Sequence, residues 1–191
     1  MASALGVSTM SSYRHVKDRD DLIVAMVDAI TARSPLPRDP DLTWPALIRT
    51  MAIGDWNAFA EHSWLISVWS TPRRRVDTAS LDQIELLLDR LEETGIDRTD
   101  GYSVIFGVAG LTLGMAALAI DDPGEELKSG IDLGEWRRRS GADADRLYSS
   151  DHGRAVRFMT ELHDNAGFDM FSVALDAFIA GIAARFGALP G

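Results

Sequence analysis

Twenty consecutive residues, Gly101 to Ile120, carry no charge, and this run constrains the fold more than any other feature of the chain. A helix of that length matches the hydrocarbon thickness of a bilayer, so the segment either spans a membrane or forms the buried helix of a globular body. Its flanks are acidic, with Asp97, Asp100, Asp121 and Asp122, and no Lys/Arg cluster sets an orientation. Gly107, Gly110, Gly114 and Ala117 form a stripe of small residues, which suits a helix packed against another helix. The buried helix is the reading adopted.

The rest of the 191 residues reads as helix almost throughout, without convincing period-2 strands; the expected fold class is all-α. A short helix is expected over 9–16, entered through Gly6-Val7-Ser8. A second starts near Asp18 to Asp20 and carries Leu22, Ile23, Met26, Val27 and Ile30 at helical spacing. Pro35, Pro37 and Pro40 end it, and 34–40 is expected to link an N-terminal domain, 1–33, to a larger one, 41–191. Helical periodicity resumes after Asp41 or Thr43 and runs to His62, followed by a short helix from Trp64 to Trp69. Residues 78–94 are amphipathic, with Leu81, Ile84, Leu87, Leu88 and Leu91 on one face and Gly95 as the stop. A polar stretch from Asp121 to Asp151 is expected to be partly disordered or mobile, and helices near 152–164 and 168–187 complete the chain.

A net charge of −10 argues against nucleic-acid binding until it is divided along the chain. Within 1–33, Arg14, Lys17, Arg19 and Arg33 balance Asp18, Asp20, Asp21 and Asp28, so all the negative excess lies beyond. Phosphate contacts depend on local cations more than on total charge. Cysteine is absent, which excludes disulfides and thiolate zinc sites. The N-terminal residues have no secretory signal character, and the expected location is the cytoplasm.

The most informative run is Leu5-Gly6-Val7-Ser8-Thr9-Met10-Ser11-Ser12-Tyr13-Arg14-His15-Val16-Lys17-Asp18-Arg19-Asp20-Asp21-Leu22. Physically it is a helix end, a glycine turn, a polar cap and a short helix poor in apolar side chains, the second half of a helix-turn-helix. The order L-G-V-S-x-x-S-x-Y-R-H-V-x-x-R-D-x-L resembles the turn, recognition helix and following helix of the TetR family of transcriptional regulators. Ser12 stands where the family usually has an apolar residue. The resemblance implies that Thr9, Met10 and Ser11 face base edges and that Tyr13, His15 and Arg19 contact phosphates, roles their chemistry permits. It also implies a long helix ahead of the helix-turn-helix. Only Met1 to Leu5 precede Gly6 here, so the head is expected to be incomplete, residues 1–18 mobile and operator binding impaired if the chain starts at Met1.

The larger domain is similar to tetracycline-repressor-like C-terminal domains through Trp44, His62, Thr112-Leu113-Gly114, Phe171, Leu175, Asp176, Gly181 and Ile182. The resemblance implies that the helices near 100–120 and 168–187 pair with their symmetry mates in a homodimer. Two seams in the last helix agree. Met170, Ala174, Ala177, Gly181 and Ala184 make a small one, and Phe168, Phe171, Leu175, Phe178, Ile182 and Phe186 a bulky one, so that one can serve a partner subunit and the other the protomer core.

For a small-molecule site the candidates are Met51, Asp55, Trp56, Phe59, Trp69, Phe106 and Met115. By gapless placement, Met51 and Trp69 fall where the family holds polar anchors for magnesium-tetracycline. An apolar or aromatic effector is therefore expected instead, with Asp55 as a polar contact. His62, His152 and His163 lack metal-ligand spacing, so neither a metal nor a cofactor is expected. Arg73-Arg74-Arg75 and Arg137-Arg138-Arg139 are read as solvated surface. No GxSxG, Walker or dinucleotide motif offers an enzyme chemistry. The expectation is a ligand-responsive regulator, with a helical ligand-binding or scaffold dimer that no longer binds DNA as the alternative.

Overall fold

The computed structural model describes residues 17–73, 75–165 and 168–186. The expected helix over 9–16 and the candidates Thr9, Met10, Ser11, Tyr13 and His15 lie outside the described residues. Eight helices appear among those described: α1 (Arg19–Thr31), α2 (Trp44–Glu61), α3 (Trp64–Trp69), α4 (Thr78–Glu93), α5 (Arg98–Ala119), α6 (Pro123–Ser129), α7 (Leu133–Asn165) and α8 (Phe168–Phe186).

Several boundaries are set by short-range chemistry. Asp18 caps α1 by accepting from the Asp21 N–H at 2.8 Å, Asp97 caps α5 through the Asp100 N–H at 3.0 Å, and Pro45 enters the first turn of α2, where no N–H is needed. Gly95 ends α4 with φ at +87°, and the Ile96 N–H returns to the Leu91 carbonyl at 3.1 Å. A side chain there would be strained, which is why glycine closes this helix.

Helix α5, which carries the uncharged run from Gly101, is the centre of the fold, packed by α2, α3, α4 and α8. Its length and apolar composition alone would let it cross a membrane. Here one face, Val104, Ile105, Val108, Thr112 and Ala116, is buried against its neighbours, and the Thr112 hydroxyl is satisfied within the helix by donating to the Val108 carbonyl at 2.9 Å. Trp44, Leu47, Ile48 and Phe59 of α2, Leu87 and Leu91 of α4, and Phe171 and Leu175 of α8 close the core. Within it Trp56 stacks on Phe171, centroids 4.7 Å apart.

The small-residue stripe of α5 divides. A Cβ on Gly107 would stand 2.7 Å from Cζ of Phe178, so this glycine serves packing inside the protomer. Gly110 and Gly114 meet nothing within 4 Å and, with Ala117, face outward. The last helix divides likewise. Phe171, Leu175 and Ile182 are buried and Phe178 half-buried, whereas Ala177, Gly181 and Ala184 are exposed.

The largest correction concerns 121–151. The polar stretch expected to be disordered or mobile folds as α6 and most of α7. Asp122 caps α6, Gly130 ends it at φ +72°, and Asp132 accepts from the Glu135 N–H at 2.8 Å as α7 begins. Glu135 pairs with Arg138 and Arg139, Asp143 with Arg146, and Glu125 with Lys128, all at the three- and four-residue spacings that support a solvent-facing helix. The backbone leaves helical geometry at His152, where the expected later helix was to begin.

The two arginine runs are also more than solvated surface. Arg137 donates to the Leu118 and Ala119 carbonyls at 3.2 and 3.4 Å, placing a cation on the carboxyl end of α5. Arg75 pairs with Asp21 across to α1. Leu81, expected on the inner face of α4, is 48% exposed.

Candidate effector cleft

The expected interdomain segment positions the site first. Leu36 is buried in the main core, and Arg90 of α4 donates to the Pro40 and Asp39 carbonyls at 3.4 and 3.3 Å. Gln83 donates to the Ser34 carbonyl at 3.2 Å. The segment is thereby fixed along α4, and α1 lies against α4 and α2 with Val27 in the same core.

Between α2, α4 and α5 lies a cleft of about 400 Å³. One wall is Met51 and Asp55 of α2, and Trp69 closes its end from α3. Ser70, Thr71, Pro72 and Val76 form a rim, Ser80, Gln83 and Ile84 of α4 the opposite wall, and Ile105, Phe106, Ala109, Gly110 and Leu113 of α5 the side. Its size and apolar character with a few polar groups fit a small organic molecule. Phe106 is 82% exposed at the mouth, a position that costs apolar surface unless something covers it.

The structure brings together four of the seven sequence candidates, Met51, Asp55, Trp69 and Phe106. Trp56 is in the core on Phe171. Phe59 is also buried and meets Trp69 edge-on at 5.6 Å, holding that indole from behind. Met115 is half-buried on α5 outside the cleft lining. The rim and the α4 wall were not among the candidates. Thr71-Pro72, directly after Trp69, was the available signal, since a proline break beside a lining aromatic creates a rim.

Met51, Asp55, Trp69 and Gln83 are shared with a second, smaller pocket of about 80 Å³ whose far side is Val27, Ile30 and Thr31 of α1. A thin partition therefore separates the cleft from α1. Polar ties reinforce this proximity. The Asp28 carboxylate of α1 accepts the Ala79 N–H of α4 at 2.8 Å, beside the buried Asp77, which accepts both the N–H and the hydroxyl of Ser80 at 2.8 Å. Asp21 pairs with Arg75, and the guanidinium holds the Asp21 carboxyl below the usual carboxylate range. Beyond the end of α1, Arg33 makes a two-pronged pair with Glu61 at 3.2 and 3.3 Å. Arg19, the one described residue among those expected to contact DNA, is exposed at the start of α1 and lines a surface hollow with Arg73 and Arg75. Among the described residues no three His, Asp or Glu side chains converge to hold a metal ion.

An all-helical body with a cleft of this size beside α1 can take up a small organic molecule. Residues 36–186 match the family model for the tetracyclin repressor-like, C-terminal domain, and the chain belongs to that family, a TetR-family regulator. It is 25% identical over 183 residues, 95% of its length and 67% of the relative's, to the HTH-type transcriptional repressor DrrR1 of Streptomyces coeruleorubidus. Among solved structures, the TetR family protein ActR of Streptomyces coelicolor in complex with (S)-DNPA superposes with a TM-score of 0.66 at 16% identity, over 98% of this chain and 86% of that one. The transcriptional regulator SCO7222 of the same organism superposes with a TM-score of 0.65 at 17% identity, over 96% and 85%.

Proposed function

We propose that the protein is a ligand-responsive transcriptional repressor that binds palindromic operator DNA as a homodimer and is released by a small apolar or aromatic effector in the cleft. The observation that carries this reading is the shared partition: Met51, Asp55, Trp69 and Gln83 line the cleft on one side and, on the other, a small pocket bounded by Val27, Ile30 and Thr31 of α1. DNA contacts are assigned to Thr9, Met10 and Ser11 at base edges and to Tyr13, His15 and Arg19 at phosphates, with α1 carrying the recognition segment. An effector pressing on Trp69, Met51 or the rim residues Thr71 and Val76 changes the seat of α1 through Asp28 and Arg75. The operator-competent arrangement loses population only if the effector prefers the other state.

The dimer is supported by the outward faces. Gly110, Gly114 and Ala117 of α5 and Ala177, Gly181 and Ala184 of α8 are exposed, next to Leu118 at 78% and Val173 at 70% exposure. A patch of small and apolar side chains on two adjoining helices allows close approach of a second copy, and two-fold symmetry matches a palindrome. ActR, similar in fold, has been solved in complex with actinorhodin, which is consistent with a sensing role for the corresponding domain here.

The test is a gel-shift of the full chain on DNA from upstream of its own gene, at fixed moderate salt, with and without planar aromatic compounds. Release by compounds that also quench tryptophan fluorescence is expected. Tight binding that leaves operator affinity unchanged would remove the switch.

A further inference from the structure

The cleft does not end at its inner wall. Met51, Asp55, Trp69 and Gln83 also line the pocket of about 80 Å³ that lies under α1, so one layer of residues separates the two spaces. In that layer Trp69 is held edge-on by Phe59, and Gln83 by its bond to the Ser34 carbonyl. Met51 is unbranched and can swing aside without a change of backbone. The pocket beyond joins the buried side chains of Val27, Phe59 and Leu65 to the exposed pair of Arg33 and Glu61. From this continuity, and resting on the effector reading above, we propose that the effector has two parts. A planar aromatic body fills the cleft, and a short unbranched chain passes Met51 and ends in a neutral hydrogen-bonding group in the pocket under α1.

Three physical arguments converge. The first is size: about 400 Å³ in the cleft accommodates a planar ring system, whereas about 80 Å³ in the pocket admits only a narrow group. The second is chemistry. Val27, Phe59 and Leu65 suit the methylenes of a chain, and the charged pair suits its end. Arg33 and Glu61 spend two N–H groups and two oxygens on each other, out of five donors on a guanidinium and about four acceptor sites on a carboxylate. A hydroxyl or amide can therefore bond to both, whereas a charged end group is repelled by one partner as it is drawn to the other. The third is position. Val27, Ile30 and Thr31 of α1 form one side of the pocket and Ala58 and Phe59 of α2 another, so a chain seated between them bears on α1 directly.

The experiment is calorimetric titration of the full chain with coumarins that share one planar body and carry a methoxy, butoxy or 3-hydroxypropoxy group at the same ring position. The hydroxypropoxy compound is expected to bind about tenfold more tightly than the methoxy compound. The butoxy compound should gain less, because its end meets the Arg33–Glu61 pair without a hydrogen bond. Gly54 lines the pocket and not the cleft, and a Cβ there would stand 3.9 Å from the Ser34 Cβ, an ordinary contact. Gly54→Leu fills the pocket and should bring the compounds to within about twofold of one another. At equal saturation, hydrogen exchange of the α1 amides should rise with the hydroxypropoxy compound and not with the methoxy compound. Equal binding of these two by the native chain, an equal gain from the butoxy group, or an advantage that survives Gly54→Leu overturns the proposal. If the methoxy compound binds and releases operator DNA as fully as the hydroxypropoxy compound, the effector cleft stands and the two-part effector fails. Binding of none of them sinks the cleft itself and the proposal with it. Should Gly54→Leu not fold, as read by circular dichroism, the ranking of the compounds on the native chain and the α1 exchange decide the matter.

Discussion

Helices α5 and α7 are held by opposite means. In α5, 22 residues long, the stabilisation is tertiary: five side chains from Val104 to Ala116 are buried among four other helices. In α7, which spans 33 residues across the break at His152, Gly141 and Val156 are buried but the large side chains Leu147, Tyr148 and Phe158 are more than half exposed. Its support is local, from ion pairs at helical spacing and the Asp132 cap, with Arg137 as a tie to the end of α5. Burial in a core makes every methylene count, whereas surface pairs contribute a few tenths of a kcal/mol each.

The largest effect that tests this contrast follows truncation of the core that α5 organises. Leu87→Ala, at a fully buried site on α4, is expected to cost about 2–5 kcal/mol, while Leu147→Ala on α7, 57% exposed, stays within about 0.5 kcal/mol. Urea unfolding of both variants checks this. Similar losses would mean that α7 is buried against something and that the comparison is wrong.

The two faces of α5 sharpen it further. Gly107→Leu would drive a side chain into Phe178, whose ring stands 2.7 Å from the position of the added Cβ, and is expected to cost about 1–3 kcal/mol as overpacking. Gly114→Leu meets open space within the protomer. It should leave the protomer folded, even favoured by about 0.5–1 kcal/mol through helix propensity, while blocking association of a second copy. Light scattering and thermal melting separate the two outcomes. A Gly114→Leu protein that remains dimeric would remove this face from the proposed interface.

The same contrast explains what could be read in the sequence. Helices α1 to α5 and α8 were legible because their apolar residues recur at helical spacing and their ends carry caps or breakers, as at Asp18, Pro45 and Gly95. Helix α6 and the 133–151 part of α7 were hidden because apolar periodicity is the signal of burial, and that part of α7 buries little beyond Gly141 among its described residues. The pairs Glu135–Arg138, Glu135–Arg139 and Asp143–Arg146 were present in the sequence as the alternative signal. For the cleft, an aromatic or Met residue at helical spacing fits core and cavity equally. Trp56 and Trp69 are thirteen positions apart in the same kind of sequence, and only the seat of Phe171 puts the first in the core. The α4 wall, Ser80 and Gln83, carries no sequence signal, because it is selected by how α4 crosses α5.

A smaller effect is expected where α1 joins the body. Asp28→Ala removes the carboxylate that accepts the Ala79 N–H in the first turn of α4, and should cost about 1 kcal/mol, as loss of a helix cap does. Its more telling consequence is uncoupling, in which an effector still binds the cleft but releases operator DNA less completely. Calorimetry and gel-shift on the same variant check this, and full release by Asp28→Ala would show that α1 is moved by other contacts.

The smallest effect belongs to the pair between Asp21 and Arg75, where both partners are solvated and the contribution to stability is correspondingly slight. Its value lies in its sign. The guanidinium lowers the Asp21 carboxyl below its ordinary range in the folded protein, so the tether is present above the unfolded carboxylate range and is lost as pH falls through the lower, folded value. Effector response should therefore be flat from neutral pH down to the ordinary carboxylate range, and α1 should loosen only below it. Arg75→Ala removes the cause of the shift and should move that loosening to higher pH. Hydrogen exchange of the α1 amides, followed against pH in the native chain and in Arg75→Ala, reads the difference directly. High salt should narrow it, because exposed pairs are screened. Identical exchange profiles in the two proteins would show that the Arg75–Asp21 pair does not help to seat α1.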